Sequence, residues 1–368
     1  MDSAIKIGLV LNYKNAEKKK DELIKINNTE SGLLSKDLII AKKGKYYIPA
    51  DVALGLYILK KYQNIKIDFI RPSEISPKRF KMNDINFILI HDLVESFHLS
   101  SPEEFKRYKR TLKSTSNVYP PYDYQKFINN KCTYYKYLEK KKIPVAPTYG
   151  ITTEKWYSRD PKKYVKKLIL KFKRNKWESV IAKPVYGQES IDFAKFKDIQ
   201  KNEVLIEKKL REYFSKVLMK YKGVVIQEFI KGFDKKNPEF RMYYINGKYR
   251  FCIITVDDDV KRPVQEGGRY NVPEKNWEYL LILTKKVMDS LPKINLGGNL
   301  MNNILVRIDV GSGLEGVPFS YFINEVEFVP SLYIEDHNYN IIQELANGLV
   351  EVSEIYSKKG DVKIKTVF

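Results

Sequence analysis

The sequence predicts an α/β protein with more than one hydrophobic core. Three observations predict this. The first 93 residues interleave apolar strand-like runs with a helical one: AIKIGLVLN at 4–12, IPADVALGLYILKKY at 48–62, IKIDFI at 65–70 and NDINFILIHD at 84–93. Farther on, FRMYYING and KYRFCIIT flank Asn246-Gly247, a dipeptide suited to a tight hairpin. Finally, 368 residues exceed what one core comfortably organises, and 27 Tyr with 18 Phe supply ample apolar volume.

The elements follow in order. The first strand, a helix after Pro49 and two more strands form an N-terminal α/β unit over 1–120. YPPYD then reads as a turn, and QKFINNKCTYYKYLEKKK as one helix. IPVAPTYGI is too rich in proline for a central strand and reads as an extended connection. A central unit over 121–232 contains a helix at Lys162–Phe172, strands at 178–184 and 190–196, a helix at 203–221 and a strand at 223–230. A third unit over 233–368 contains the hairpin, a Gly-rich loop KRPVQEGGRYNVP and a helix marked by Trp277, Leu280, Leu281, Val287, Met288 and Leu291. Strands ILVRIDVG and YFINEVEFVP follow, with a last helix from about Asn338 to Ala346.

Lys and Arg number 66 against 45 Asp and Glu, a net +21. That charge favours an anionic partner. Because lysines run along much of the chain and no Arg-rich arm stands out, nucleic acid is not the expected partner. Two cysteines support neither a disulfide framework nor a thiolate metal site. The start, MDSAIKIGLVLNYKN, has no signal-like apolar core, and no apolar run approaches bilayer length. A soluble protein of the cytoplasm is expected.

Asp309, Glu325 and Glu327 stand inside runs that otherwise read as buried strands. Buried carboxylates need a compensating positive charge, and Mg²⁺ prefers hard oxygen ligands. Glu325 and Glu327, two apart on a strand, share one face. The alternative is a solvated strand pair with its acids in water. VIAKPVYGQES puts Lys183 at a strand end before a turn where Gly187, Gln188, Glu189 and Ser190 could hold an anion with backbone N–H groups. An ordinary hairpin with a solvent-facing Lys is equally compatible. QEFI, with Glu228, Phe229 and Ile230, joins an acid, apolar surface and free backbone groups, which suits a purine. In PEFR, Glu239 could meet sugar hydroxyls or a metal and Arg241 an anion, or the two could pair with each other.

In order and spacing, Lys131, K183PxxGxES190, Q227EFI230, E239FR241, R307ID309 and N324EVE327 resemble the ATP-grasp superfamily over roughly 120–335. The resemblance implies an ATP-grasp fold behind an N-terminal α/β domain. It implies ATP phosphates on Lys131 and Lys183, closed over by Gly187 to Ser190. It implies adenine at Glu228, Phe229 and Ile230, ribose near Glu239, and two Mg²⁺ on Asp309, Glu325 and Glu327. Arg241 and Arg307 match basic residues near the transferred phosphate. Glu327 fills a slot more often taken by Asn, and FVPSLY replaces the usual Pro-Gly.

The activity so implied is ATP-dependent joining of a carboxylate to an amine through an acylphosphate. A kinase acting on an inositol phosphate or other polyanion, and a non-catalytic nucleotide-binding module, are the alternatives. Expected partners are ATP and an anionic small molecule or acidic peptide, and homodimers are common among the resembling enzymes. Lys261, Arg262 and Arg269 could meet an acidic acceptor, or form a solvated basic loop. His91 could touch substrate. Cys132 reads as a packing residue.

Overall fold

The computed structural model describes residues 4–11, 23–89, 102–186, 191–231, 237–256, 260–265, 272–334, 339–360 and 362–368. The N-terminal part is built on strands β1 (Ile5–Val10), β2 (Leu23–Ile26), β3 (Ile40–Lys42), β4 (Lys45–Pro49), β5 (Ile65–Ile70), β6 (Ile85–Phe87) and β7 (Val118–Tyr119). β1, β5, β6 and β7 form a parallel sheet in the order β5-β1-β6-β7. β2, β4 and β3 form a small antiparallel sheet. The helix Ala50–Lys61 is apolar on nearly every side, as a helix sandwiched between packed layers must be.

The segment read as one helix is two, Tyr122–Asn129 and Lys131–Lys140. Asn130 leaves the helical region and caps the second by accepting from the Thr133 N–H at 3.0 Å. The break puts Lys131 in the first turn of a new helix.

The central part carries β8 (Thr148–Thr152), β9 (Val180–Pro184), β10 (Ala194–Phe196) and β11 (Gly223–Glu228), antiparallel in the order β10-β9-β11-β8. One face packs Val180, Ala182, Val224 and Ile226 against the helices Pro161–Arg174 and Glu203–Val217. By strand alternation, Lys183 belongs to the other face. Gly150 in β8 is where a side chain would strike Cys132, its Cβ falling 2.4 Å from Sγ. Cys132 is packed there and burial pushes its thiol up to about 11, which fits the packing role.

The third part contains β12 (Glu239–Ile245), β13 (Lys248–Val256), β14 (Val260–Gln265), β15 (Lys293–Leu296), β16 (Asn299–Met301), β17 (Leu305–Ser312), β18 (Tyr321–Glu327) and β19 (Lys365–Val367). Asn246 and Gly247, both at positive φ, close the β12–β13 hairpin as the sequence predicts. The main sheet runs β14-β13-β12-β17-β18, backed by the helix Glu274–Ser290. Lys261 to Gln265, read as the start of a Gly-rich loop, instead pair with β13. The last helix spans Ile341–Ser357, one turn after another beyond Ala346, because Leu349, Val350, Val352 and Tyr356 continue its buried face.

The proline-bearing connection 143–148 is a strap between sheets. Pro144 O accepts from the Ile323 N–H at 2.8 Å, and Val145 bridges Ile323 in β18. Three residues on, Pro147 O accepts from the Glu228 N–H of β11 at 3.0 Å. No helix among the described residues is long and apolar enough to cross a membrane.

Candidate active site

The register of β12, β17 and β18 builds the site. Arg241 aligns with Asp309, and Asp309 with Glu325, while Tyr243 aligns with Arg307 and Arg307 with Glu327. Residues in register lie on one face, so the sheet displays these groups together. Asp309, Glu325 and Glu327 offer one carboxylate oxygen each within 4.8 Å of one another.

Cations thread the acids. Arg307 donates to Asp309 through Nε at 2.7 Å and Nη2 at 2.8 Å, and Nη2 lies 2.9 Å from Glu327 Oε1. Lys131 Nζ lies 2.8 Å from Glu325 Oε1. Burial pushes Asp309 up to about 6, although Arg307 opposes the shift. Burial likewise pushes Glu327 up to about 7, helped by Glu325 and Asp309. At Glu325 burial also acts upward, but Lys131, Lys183 and Arg307 outweigh it and hold the carboxyl down at about 2. Burial thus outweighs Arg307 at Asp309 and Glu327, while the cations outweigh burial at Glu325. Oxygen-only donors converging within 4.8 Å of one another fit a hard divalent ion such as Mg²⁺.

Glu239 is expected near a sugar but lies buried in this sheet with both oxygens engaged. Oε2 accepts from Arg241 Nε at 2.9 Å and Thr255 Oγ1 at 3.2 Å, and Oε1 from Asn324 Nδ2 at 2.8 Å. Its geometry serves Arg241 and Asn324. Arg241 also donates to the Tyr333 hydroxyl, and Asp309 with Glu239 hold its guanidinium charged despite burial. Tyr243 donates to Ser331 O at 2.6 Å, tying the 328–334 loop across the end of the acid face.

Lys183 donates to the Tyr135 hydroxyl at 3.0 Å, and that hydroxyl donates to Asn324 O at 2.5 Å. The register slips between Asp309 and Val310, so Asn324 is the extra residue of a bulge in β18. The bulge lets Asn324 and its neighbour Glu325 both serve the site. Sequence reasoning missed Tyr135, Thr255, Asn324, Tyr243 and Tyr333. Only Asn324, inside the NEVE stretch, carried a sequence signal.

Glu228 ends β11 half-buried, and burial with Glu315 raises its carboxyl. Phe229 bonds Ser179 O through its N–H at 3.0 Å and carries Lys195 Nζ 3.0 Å from its ring centroid. Ile230 packs against Ala146 and Phe322. Gly187, Gln188, Glu189 and Ser190 lie outside the described residues, as do His91, His98, His337 and Arg269. Arg262 pairs in register with Ile254. A cavity of about 1200 Å³ lies elsewhere, at the N-terminal ends of β1 and β6, lined by Ile5, Asn83, Asp84 and Asn117. Volume alone points there, but the converging charges do not, and a parallel sheet places ligands at the opposite ends of its strands.

Scanned against protein-family profiles and against characterised protein sequences, the chain matches none. Solved structures do match along nearly its whole length. The D-cycloserine synthetase DcsG superposes with a TM-score of 0.63 at 13% identity, covering 95% of this chain and 99% of that one. The D-alanine–D-alanine ligase of Bacillus anthracis, solved with ATP, gives 0.57 at 14%, covering 97% and 100%. The ATP-grasp ligase PsnB, solved with a phosphomimetic variant of a minimal precursor, Mg and ADP, gives 0.52 at 12%, covering 96% and 99%. With these sheets in this order along these lengths, the chain has the ATP-grasp fold.

Proposed function

We propose that the protein is an ATP-dependent carboxylate–amine ligase working through an acylphosphate. The observation that carries this reading is the single sheet face on which Asp309, Glu325 and Glu327 converge beside Arg241 and Arg307. The ligase and synthetase activities of the structural neighbours point the same way. In this reading Lys131 and Lys183 hold ATP phosphates, and Gly187, Gln188, Glu189 and Ser190 close over them. Glu228, Phe229 and Ile230 receive the adenine, and Glu239 fixes Arg241. Asp309, Glu325 and Glu327 would hold Mg²⁺, two ions in this reading, which would supply positive charge to the transferred phosphate.

A substrate carboxylate oxygen attacks the γ-phosphorus, and ADP leaves. Arg241 and Arg307 donate to the phosphate oxygens as the acylphosphate forms. An amine then attacks the acyl carbon, loses a proton, and inorganic phosphate leaves. No protein nucleophile is needed, consistent with a Cys132 thiol held protonated. The carboxylate donor is an anionic small molecule or an acidic peptide.

The test is Mg²⁺-ATP turnover followed by phosphorus NMR and mass spectrometry against pooled carboxylates and amines. Free phosphate, with a product mass of acid plus amine less water, is expected. ADP with a phosphorylated product and no free phosphate would instead establish a kinase. Inert ATP with every pool would leave only a nucleotide-binding module.

A further inference from the structure

The positive charge is not evenly spread. Residues 102–231 hold 32 Lys and Arg against 14 Asp and Glu, a net +18 of the chain's +21, whereas 232–368 sum to −2. Within that basic third, the helix Pro161–Arg174 concentrates it. Val165, Leu168, Ile169 and Phe172 face the core. The opposite side exposes Lys162, Lys163, Lys166, Lys167, Lys171 and Arg174 around Leu170, which is 58% exposed. The helix contains no acid, and Asp160 precedes it as the N-cap.

This face works against its own helix. Lys162–Lys166, Lys163–Lys167 and Lys167–Lys171 are like-charge pairs four apart, each unfavourable by roughly 0.2–0.5 kcal/mol. Lys162 and Lys163 stand in the first turn, where the helix dipole disfavours cations. Among the described residues, Lys162, Lys163, Lys166, Lys167 and Arg174 make no ion pair, while Lys173 at the flank pairs with Glu203 at 2.7 Å. Lys109, at the edge of the central part, is likewise surrounded by Lys113, Lys126 and Lys222, and its pKa is lowered by burial and their repulsion. Asp160 offsets Lys162 and Lys163 in part and Lys171 lies over the Tyr149 ring, but six cations against one acid leave a surplus that points to an external partner.

The length of the face fits a polymer. The basic face lies on the solvent side of the helix layer, and Lys183 lies on the far face of the sheet beneath it. A small substrate cannot span both. Folded-protein interfaces are depleted in Lys and built on apolar anchors, and here a single Leu stands among six cations. A membrane would need an apolar helix face, and this one is committed to the core. Nucleic-acid interfaces are the strongly basic kind. The helix offers roughly 21 Å of cationic edge, against a duplex that bears a charge every ~1.7 Å.

We propose that the outer face of the helix Pro161–Arg174 binds nucleic acid through its backbone phosphates, without base specificity. This reverses the expectation drawn from lysines spread along the chain, and it stands independently of the ligase reading. Lysine, a point charge without Arg's planar fork, suits phosphate contact more than base readout.

The test is fluorescence anisotropy of a labelled mixed-sequence DNA duplex with the full chain. Saturable binding at about 50 mM salt, weakening steeply as salt rises, is expected. Replacing Lys162, Lys163, Lys166 and Lys167 together by Gln lowers affinity at least about tenfold and the salt slope by roughly 1 per lost contact. Melting temperature holds or rises in that variant, because repulsion is relieved. Replacing Lys285, Lys286, Lys358 and Lys359 by Gln removes as much charge elsewhere and leaves affinity within about twofold of the parent. Absent binding at that salt, equal loss in both variants, or tighter binding of phosphatidylserine vesicles or polyglutamate than of the duplex overturns the proposal.

Discussion

Arg307 and Asp309, two residues apart on β17, close a buried bidentate pair, and the same guanidinium reaches across to Glu327 on β18. One side chain thus sets the spacing of two acids. Arg307→Lys keeps the charge and loses the fork. Turnover falls about 10²-fold or more, the scale of losing an oriented donor to a developing oxyanion. Steady-state kinetics check this, and near-parental turnover would remove Arg307 from the chemistry.

Asp309→Asn and Glu325→Gln each remove a ligand charge while keeping shape. Both are expected to lose at least about 10²-fold in turnover with native far-UV circular dichroism. Either variant turning over at the parental rate would refute the metal assignment.

Lys183 is steadied by Tyr135, itself fixed to Asn324 O. Lys183→Ala raises the KM for ATP about tenfold or more, as expected for a lost charged hydrogen bond. Tyr135→Phe keeps the ammonium but frees it, so KM rises less and in the same direction. A change confined to kcat in both would place Lys183 outside ground-state ATP binding.

Asp309 at about 6 and Glu327 at about 7 sit above the ordinary carboxylate range because they are buried. Without Mg²⁺, the folded chain holds protons there that the unfolded chain has released. Their contribution to stability is therefore full below about pH 4 and lost as pH rises through 6 to 7. Glu325, near 2, acts oppositely, stabilising above its unfolded pKa and ceasing to as pH falls toward 2. Mg²⁺ must displace the two protons, so its thermal shift is larger at pH 8 than at pH 6. An equal shift at both would contradict the assignment.

Asn130→Ala removes the cap that starts the Lys131 helix. A loss of about 0.5–2 kcal/mol in urea unfolding is expected. Activity falls further than stability alone explains, because Lys131 follows the cap directly.

Much of this was legible from residue type and spacing. The acids declared themselves by standing in apolar runs, and Asn246-Gly247 fixed the hairpin. What stayed hidden depends on pairing between distant segments. The bulge at Asn324 comes from how β18 meets β17, and no local pattern encodes it. Tyr135 looked like core because its ring is core, while its hydroxyl serves Lys183. The pairing of Glu239 with Arg241 was open to sequence reasoning, but Asn324 and Thr255, which also occupy Glu239, lie 85 and 16 residues away. Asn130 ended a helix that periodicity alone carries through.

The strap at 143–148 has a mechanical meaning. Its two prolines lack N–H groups, so each gives its sheet a carbonyl and asks for nothing in return. The central sheet is thus basted, not sewn, to the acid sheet. The Pro147 bond to Glu228 continues the β8–β11 pairing, so it is the Pro144 bond, worth about 0.5–1.5 kcal/mol, that reaches the acid sheet. The strap therefore joins the sheet that carries Lys183 to the sheet that carries the acids through a single bridge at Val145 and Ile323, without adding a strand to the latter.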